Sequence, residues 1–128
     1  MLENDYKIEE FLNLVLNEFP FLDKKIVTNY WHLPIAKFEF LDDIGIVGYI
    51  VISNYEGKKE FEVAEFYLKK EFRTLENLNK LYDLVVQLAR KNECKNIVMG
   101  LHSKHKPKSF FKFLSRKGFK LSTMNKEI

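Results

Sequence analysis

Glycine and proline are scarce in this sequence, five and three in 128 residues, and there is a single cysteine. The lone thiol, Cys94, excludes an internal disulfide and agrees with a reducing, cytoplasmic setting. Long hydrophobic runs are missing as well. None approaches the roughly 20 apolar residues that a bilayer crossing requires. Met1–Tyr6 is acidic where a secretory leader would be basic. No repeat, low-complexity tract or linker divides the chain, so its length predicts one domain spanning residues 1–128, able to bury a real core.

What is abundant is phenylalanine, 12 residues of it, which predicts an aromatic-rich core. Charge is plentiful but uneven. Residues 1–64 hold six lysines against twelve acids, whereas residues 65–128 hold fifteen lysines and arginines against six acids. The densest stretch runs from Lys104 to Lys120 through Lys106, Lys108, Lys112, Arg116 and Lys117, without an acid. Such a stretch suits a phosphate-bearing cofactor, a nucleic acid or an acidic protein, or is simply a solvated lysine face. Its interleaved Phe110, Phe111 and Phe113 match the buried side of a helix better than a base-stacking platform.

Hydrophobic periodicity supplies the elements. Ile8, Phe11, Leu12, Val15 and Phe19 share one helical face that Pro20 ends, and Leu22, Ile26, Tyr30 and Leu33 form a weaker one closed by Pro34. A hairpin follows, with strands at 36–40 and 46–52 around Asp42-Asp43-Ile44-Gly45. After the turn Tyr55–Lys58 comes a strand at 61–68, then the best helix, 75–92, and a short buried strand at 96–101. A last helix spans 107–117, stopped by Gly118, before a final strand at 119–124. The strand-helix-strand at 61–101 implies a parallel crossover joined to an antiparallel meander.

The stretch EVAEFYLKKEFRTLENL at 62–78 is a strand, an elbow and a helix start. With the element order, it resembles the GNAT superfamily of acyl-CoA-dependent N-acetyltransferases. Glu62-Val63, Phe66-Tyr67-Leu68, Phe72-Arg73 and the later Gly118-Phe119 stand where that family has E-I, L-Y-V, Y-R and G-F. The likeness covers about residues 35–119, and the chain's brevity is also similar to that of small phage-encoded members. It implies an α+β fold with a mixed central sheet and helices on both faces, lacking the family's first and last strands. It further implies acetyl-CoA as cofactor, held by Phe66, Tyr67, Leu68, Arg73, Thr74, Leu75, Glu76, Asn77 and Leu78. Glu62 is the implied base, drawing a proton from a primary amine; Glu62 and Glu65 can also be read as two solvated strand glutamates.

Three departures from the family pattern accompany the resemblance. The elbow's three glycine positions are Thr74, Glu76 and Leu78. Glycine lets backbone amides close on a pyrophosphate, whereas Glu76 would repel one by roughly 2 kcal/mol at ~8 Å and an effective dielectric of ~20. Alternatively, Thr74 caps the helix, Glu76 suits its dipole, and Leu78 is buried in the apolar stripe. Second, the usual acid, a tyrosine four residues before the terminal glycine, is Leu114. Third, the family's outer strands are short or missing, so an exposed sheet edge would invite a protein partner or a second copy.

The remaining candidates are weaker. His102 and His105 lie among lysines, which disfavours a metal, and none is expected. Cys94 lacks a neighbouring histidine and reads as structural. Trp31 and Tyr30 read as helix core or groove lining. Two functions therefore stand: an N-acetyltransferase, with Lys104, Lys106 or Lys108 helping to hold phosphate, or a catalytically inactive GNAT-like interaction module that binds a protein or anionic partner. Neither reading involves a membrane.

Overall fold

In the computed structural model, residues 3–99 and 108–119 are described. Two helices come first, α1 (Glu3–Glu18) and α2 (Lys24–Trp31). Then follow β1 (Lys37–Leu41), β2 (Gly45–Ser53), β3 (Lys59–Leu68), a 3-10 turn at Lys70–Phe72, α3 (Leu75–Lys91), β4 (Asn96–Met99) and α4 (Lys108–Arg116). The strands stand in the order β1-β2-β3-β4. The first two pairings are antiparallel and β3–β4 is parallel, with α3 as the crossover the sequence implied. The predicted strand at 61–68 begins two residues earlier, at Lys59. Leu101, Pro107 and the expected final strand beyond Phe119 fall outside the described residues.

Helix ends follow local chemistry. The Asp23 carboxylate accepts from the Ile26 amide at 3.0 Å and starts α2. The Thr74 hydroxyl does the same for α3, accepting from the Asn77 amide at 3.1 Å. Gly118, at φ +94°, ends α4. Its amide donates to Ser115 and the Phe119 amide to Leu114, the paired 5→2 and 6→1 bonds of a Schellman stop. Among the described residues, no helix is long and apolar enough to cross a membrane.

Each face of the sheet carries its own core. On one side, Val47, Phe61, Val63, Leu81, Val85 and Leu114 are fully buried under α3 and α4. On the other, Phe11, Leu12, Val15 and Trp31 from α1 and α2 pack on Ile46 and Tyr67. Trp31 is thus core; its ring lies 4.8 Å from that of Phe38. Gly48 makes that packing possible, because a Cβ there would sit 2.8 Å from the Phe38 ring.

A bulge in β3 decides which residues face which core. Gly48 pairs with Glu65 and Tyr49 with Val63, so Ala64 has no opposite number. The alternation therefore slips by one. Phe61, Val63, Phe66 and Leu68 share the α3–α4 face, while Glu62, Glu65 and Tyr67 share the α1–α2 face.

Candidate functional site

Among the described residues, the β3–β4 register runs to Val63↔Met99 and β3 continues to Leu68. Beside this last stretch of β3 lies an open cleft of about 530 Å³. Phe66, Tyr67 and Leu68 all line it although successive strand residues point to opposite faces, which places the cleft at the sheet's edge. The C-terminal end of α1 forms one wall with Glu18 and Phe19. α4 forms another with Ser109, Phe110, Phe113 and Arg116, and the start of α3 closes the end with Thr74, Leu75 and Leu78.

Seven of the nine cofactor candidates meet in this cleft: Phe66, Tyr67, Leu68, Arg73, Thr74, Leu75 and Leu78. Leu78 is half-buried rather than sealed in the helix stripe, because it faces the cleft as well as the core. Asn77 does not line it. Its amide is taken by Thr74, and its side-chain amide donates to the Phe72 carbonyl at 2.8 Å. Glu76 also points away, pairing with Lys80 at 3.5 Å in solvent. The repulsion expected from Glu76 is therefore screened by water and by Lys80.

The cap leaves two amides open. Thr74 satisfies only Asn77, and the amides of Leu75 and Glu76 have no partner among the described residues. They begin a 17-residue helix whose dipole favours an anion there. Arg116, missed as an individual site residue, adds a cation on the α4 wall and makes no ion pair among the described residues. Only its place in the basic stretch pointed to it. Lys104 and Lys106 lie outside the described residues, as do His102 and His105.

Arg73 is already engaged. Its Nη1 and Nη2 donate to the two oxygens of Glu18 at 2.7 and 2.6 Å, and its Nε donates to the Leu68 carbonyl at 2.9 Å. The Tyr67 hydroxyl donates to the same carboxylate at 2.8 Å. Burial pushes the Glu18 carboxyl up, but the bonds from Arg73 and Tyr67 outweigh that and hold it below the usual range. Burial and the Glu18 bond raise the Tyr67 phenol far above an ordinary tyrosine.

Leu114 is wholly buried in the α3–α4 core. The register that would carry a catalytic tyrosine thus points away from the cleft. Glu62 lies outside the cleft too, past the bulge, pairing with Ile50 and Val98. It and Glu65 are half-buried, not freely solvated. Burial, then Glu62 and Glu65, raise the Tyr30 hydroxyl there. Cys94 is buried, and burial raises its thiol, consistent with a structural role.

No protein-family model matches the sequence, and no curated protein sequence does. Solved structures do match. A ribosomal-protein-alanine N-acetyltransferase from Brucella melitensis biovar Abortus 2308 superposes with a TM-score of 0.70 at 15% identity, covering 96% of this chain and 92% of that one. A transcriptional regulator from Bacillus halodurans C-125 gives 0.71 at 12%, covering 100% and 95%. An aminoglycoside acetyltransferase from an uncultured soil metagenomic sample gives 0.60 at 11%, covering 84% and 74%. None of the three is described as phage-encoded. Identities this low show the fold, and the fold is that of GNAT acetyltransferases.

Proposed function

We propose that this GNAT-fold chain is an acyl-CoA-dependent N-acetyltransferase of a primary amine, working in the cytoplasm. One observation carries the reading: an edge cleft with an aromatic lining ends at the first turn of α3, where the Leu75 amide has no partner among the described residues, and Arg116 lines the same cleft. The residues present fit the cofactor. The end of β3, which no described strand pairs on the β4 side beyond Val63, offers backbone groups to an extended carrier, Phe66, Phe110 and Phe113 shield its apolar part, and the Leu75 amide faces its phosphates. Bound, acetyl-CoA would supply the activated thioester.

On the acceptor side, Glu62 takes a proton from the amine, directly or through water. Glu65, on the same face because of the Ala64 bulge, adds negative charge that favours a cationic acceptor. Leu114, apolar and buried, can donate no proton, so a thiolate leaving a bound carrier would have to go without one from this position.

Calorimetric titration with acetyl-CoA at low salt tests this reading. Micromolar binding is the expected result; none at millimolar cofactor would overturn it. A specific observation favours the second reading, a non-catalytic interaction module: Glu18 already fills the Arg73 fork. In that case the outer edge of β1, which pairs only with β2 among the described residues, offers a pairing surface to a protein or a second copy.

A further inference from the structure

Glu18 is the last residue of α1, and its carboxylate reaches across to an arginine 55 positions later. The Arg73 guanidinium grips it with two parallel bonds, the arrangement by which arginine also grips a phosphate. A third bond comes from Tyr67, and the Glu18 side chain keeps only 12% of its exposure. All three residues line the main cleft. Glu18 and Tyr67 also line a second groove of about 390 Å³ between α1 and the elbow, where Lys69 and Lys70 stand with Glu10 and Glu71. The bonded pair is thus the wall between the two spaces.

We infer that Glu18 is a built-in anion mimic: an autoinhibitory latch that occupies the Arg73 fork until a phosphate-bearing ligand displaces it. Displacement frees Arg73 for the ligand and opens the wall toward Lys70, since Lys69 stays bonded to Glu10. The inference rests on the phosphate-bearing carrier proposed for the cleft and adds how its entry is controlled. Without the latch, an arginine fork would stand beside the cleft open to any cellular anion. With it, only a ligand that also fills the aromatic part of the cleft gains enough to break three bonds.

Titrations of the unchanged protein, Glu18→Gln, and Glu18→Gln combined with Arg73→Gln, against inorganic pyrophosphate and against coenzyme A, test the latch. Glutamine keeps the size of Glu18 and loses its charge. Both probes are expected to bind Glu18→Gln at least tenfold tighter than the unchanged protein, and the gain should vanish in the double variant. Tighter pyrophosphate with no coenzyme A binding anywhere would uphold the latch and sink the carrier. Equal or weaker coenzyme A binding by Glu18→Gln would overturn the latch and leave the carrier standing, and no binding of either probe to any variant would overturn both. Should Glu18→Gln fail to fold, the unchanged protein still decides. Coenzyme A must shift the ring resonances of Tyr67, assigned with Tyr67→Phe, as its bond to Glu18 breaks; binding that leaves them unmoved refutes the latch.

Discussion

The two faces of the sheet are held by different forces. Under α3 and α4, fifteen buried apolar residues form one cluster, and the only ion pair α3 makes among the described residues is its own Glu76–Lys80. Under α1 and α2 the buried cluster among the described residues is six residues, and α1 is tied down by charge along its whole length. Lys7 bonds Asp43 at 2.8 Å in the β1–β2 turn, Glu9 meets His32 on α2, Glu10 bonds Lys69 at 3.0 Å, and Glu18 bonds Arg73. Apolar burial holds a helix without relying on charges that salt can screen. A row of half-exposed ion pairs holds a helix in register while leaving each contact weak and separately breakable. The face built from charge is also the one whose final contact guards the cleft.

The largest expected effect breaks the stronger side. Leu114→Ala empties a fully buried position between α4 and the sheet and should cost about 2–5 kcal/mol, read as a fall in the denaturant midpoint. A loss below about 1 kcal/mol would mean that α4 is not packed as described and that position 114 could after all face the cleft.

A smaller effect should appear on α1 alone. Raising sodium chloride from 0.05 to 1 M shortens the screening length to about 3 Å. At roughly 0.2–1 kcal/mol per exposed pair, the four ties together should give up about 1–2 kcal/mol. Amide exchange in α1 should quicken roughly tenfold while the amides of α3 near Leu81 and Val85 hold their rates. Equal acceleration in both helices would show that the faces are not held differently.

This contrast was only half visible in the sequence. The apolar side was legible because periodicity is local: Leu78, Leu81, Val85 and Leu88 declare their helix within ten residues. The turn chemistry of Thr74 and Gly118 was local in the same way and gave the ends of α3 and α4. The Ala64 bulge was not legible. Nothing in Val63-Ala64-Glu65 marks an extra residue, since a bulge exists only relative to the partner strand β2. Glu18 was passed over for the same reason, as a polar residue at a helix end whose partners Tyr67 and Arg73 lie 49 and 55 positions away. Leu114 was read as a missing tyrosine, yet its burial comes from the rotation of α4, which spacing alone does not fix. Elements and their order follow from short-range chemistry, whereas this site is made of pairings across the sheet's edge.

The smallest expected effect separates two of the charge ties by pH. The Glu9 carboxylate bonds the His32 imidazole at 2.5 Å, and that bond, opposed by slight burial, raises the pKa of His32 above its ordinary ~6.5. A group with a raised folded pKa stabilises fully below its unfolded value and loses that stabilisation as pH climbs through the folded one. The Glu9–His32 tie should therefore be whole below the ordinary histidine pKa of ~6.5 and fade as pH rises above it. Both side chains are about half exposed, so the loss should be under about 1 kcal/mol. Glu18 runs the other way. Its depressed pKa means that the tie to Arg73 stabilises above the ordinary carboxylate pKa of ~4.3 and fails only as acid protonates it. Melting temperature measured from pH 3 to 9 should fall by a few degrees at most between pH 6 and 9, and Glu9→Gln should flatten that fall while the acid limb set by Glu18 remains. If Glu9→Gln leaves the alkaline slope intact, His32 is not its source, and α1 is tied to α2 by packing rather than by this charge.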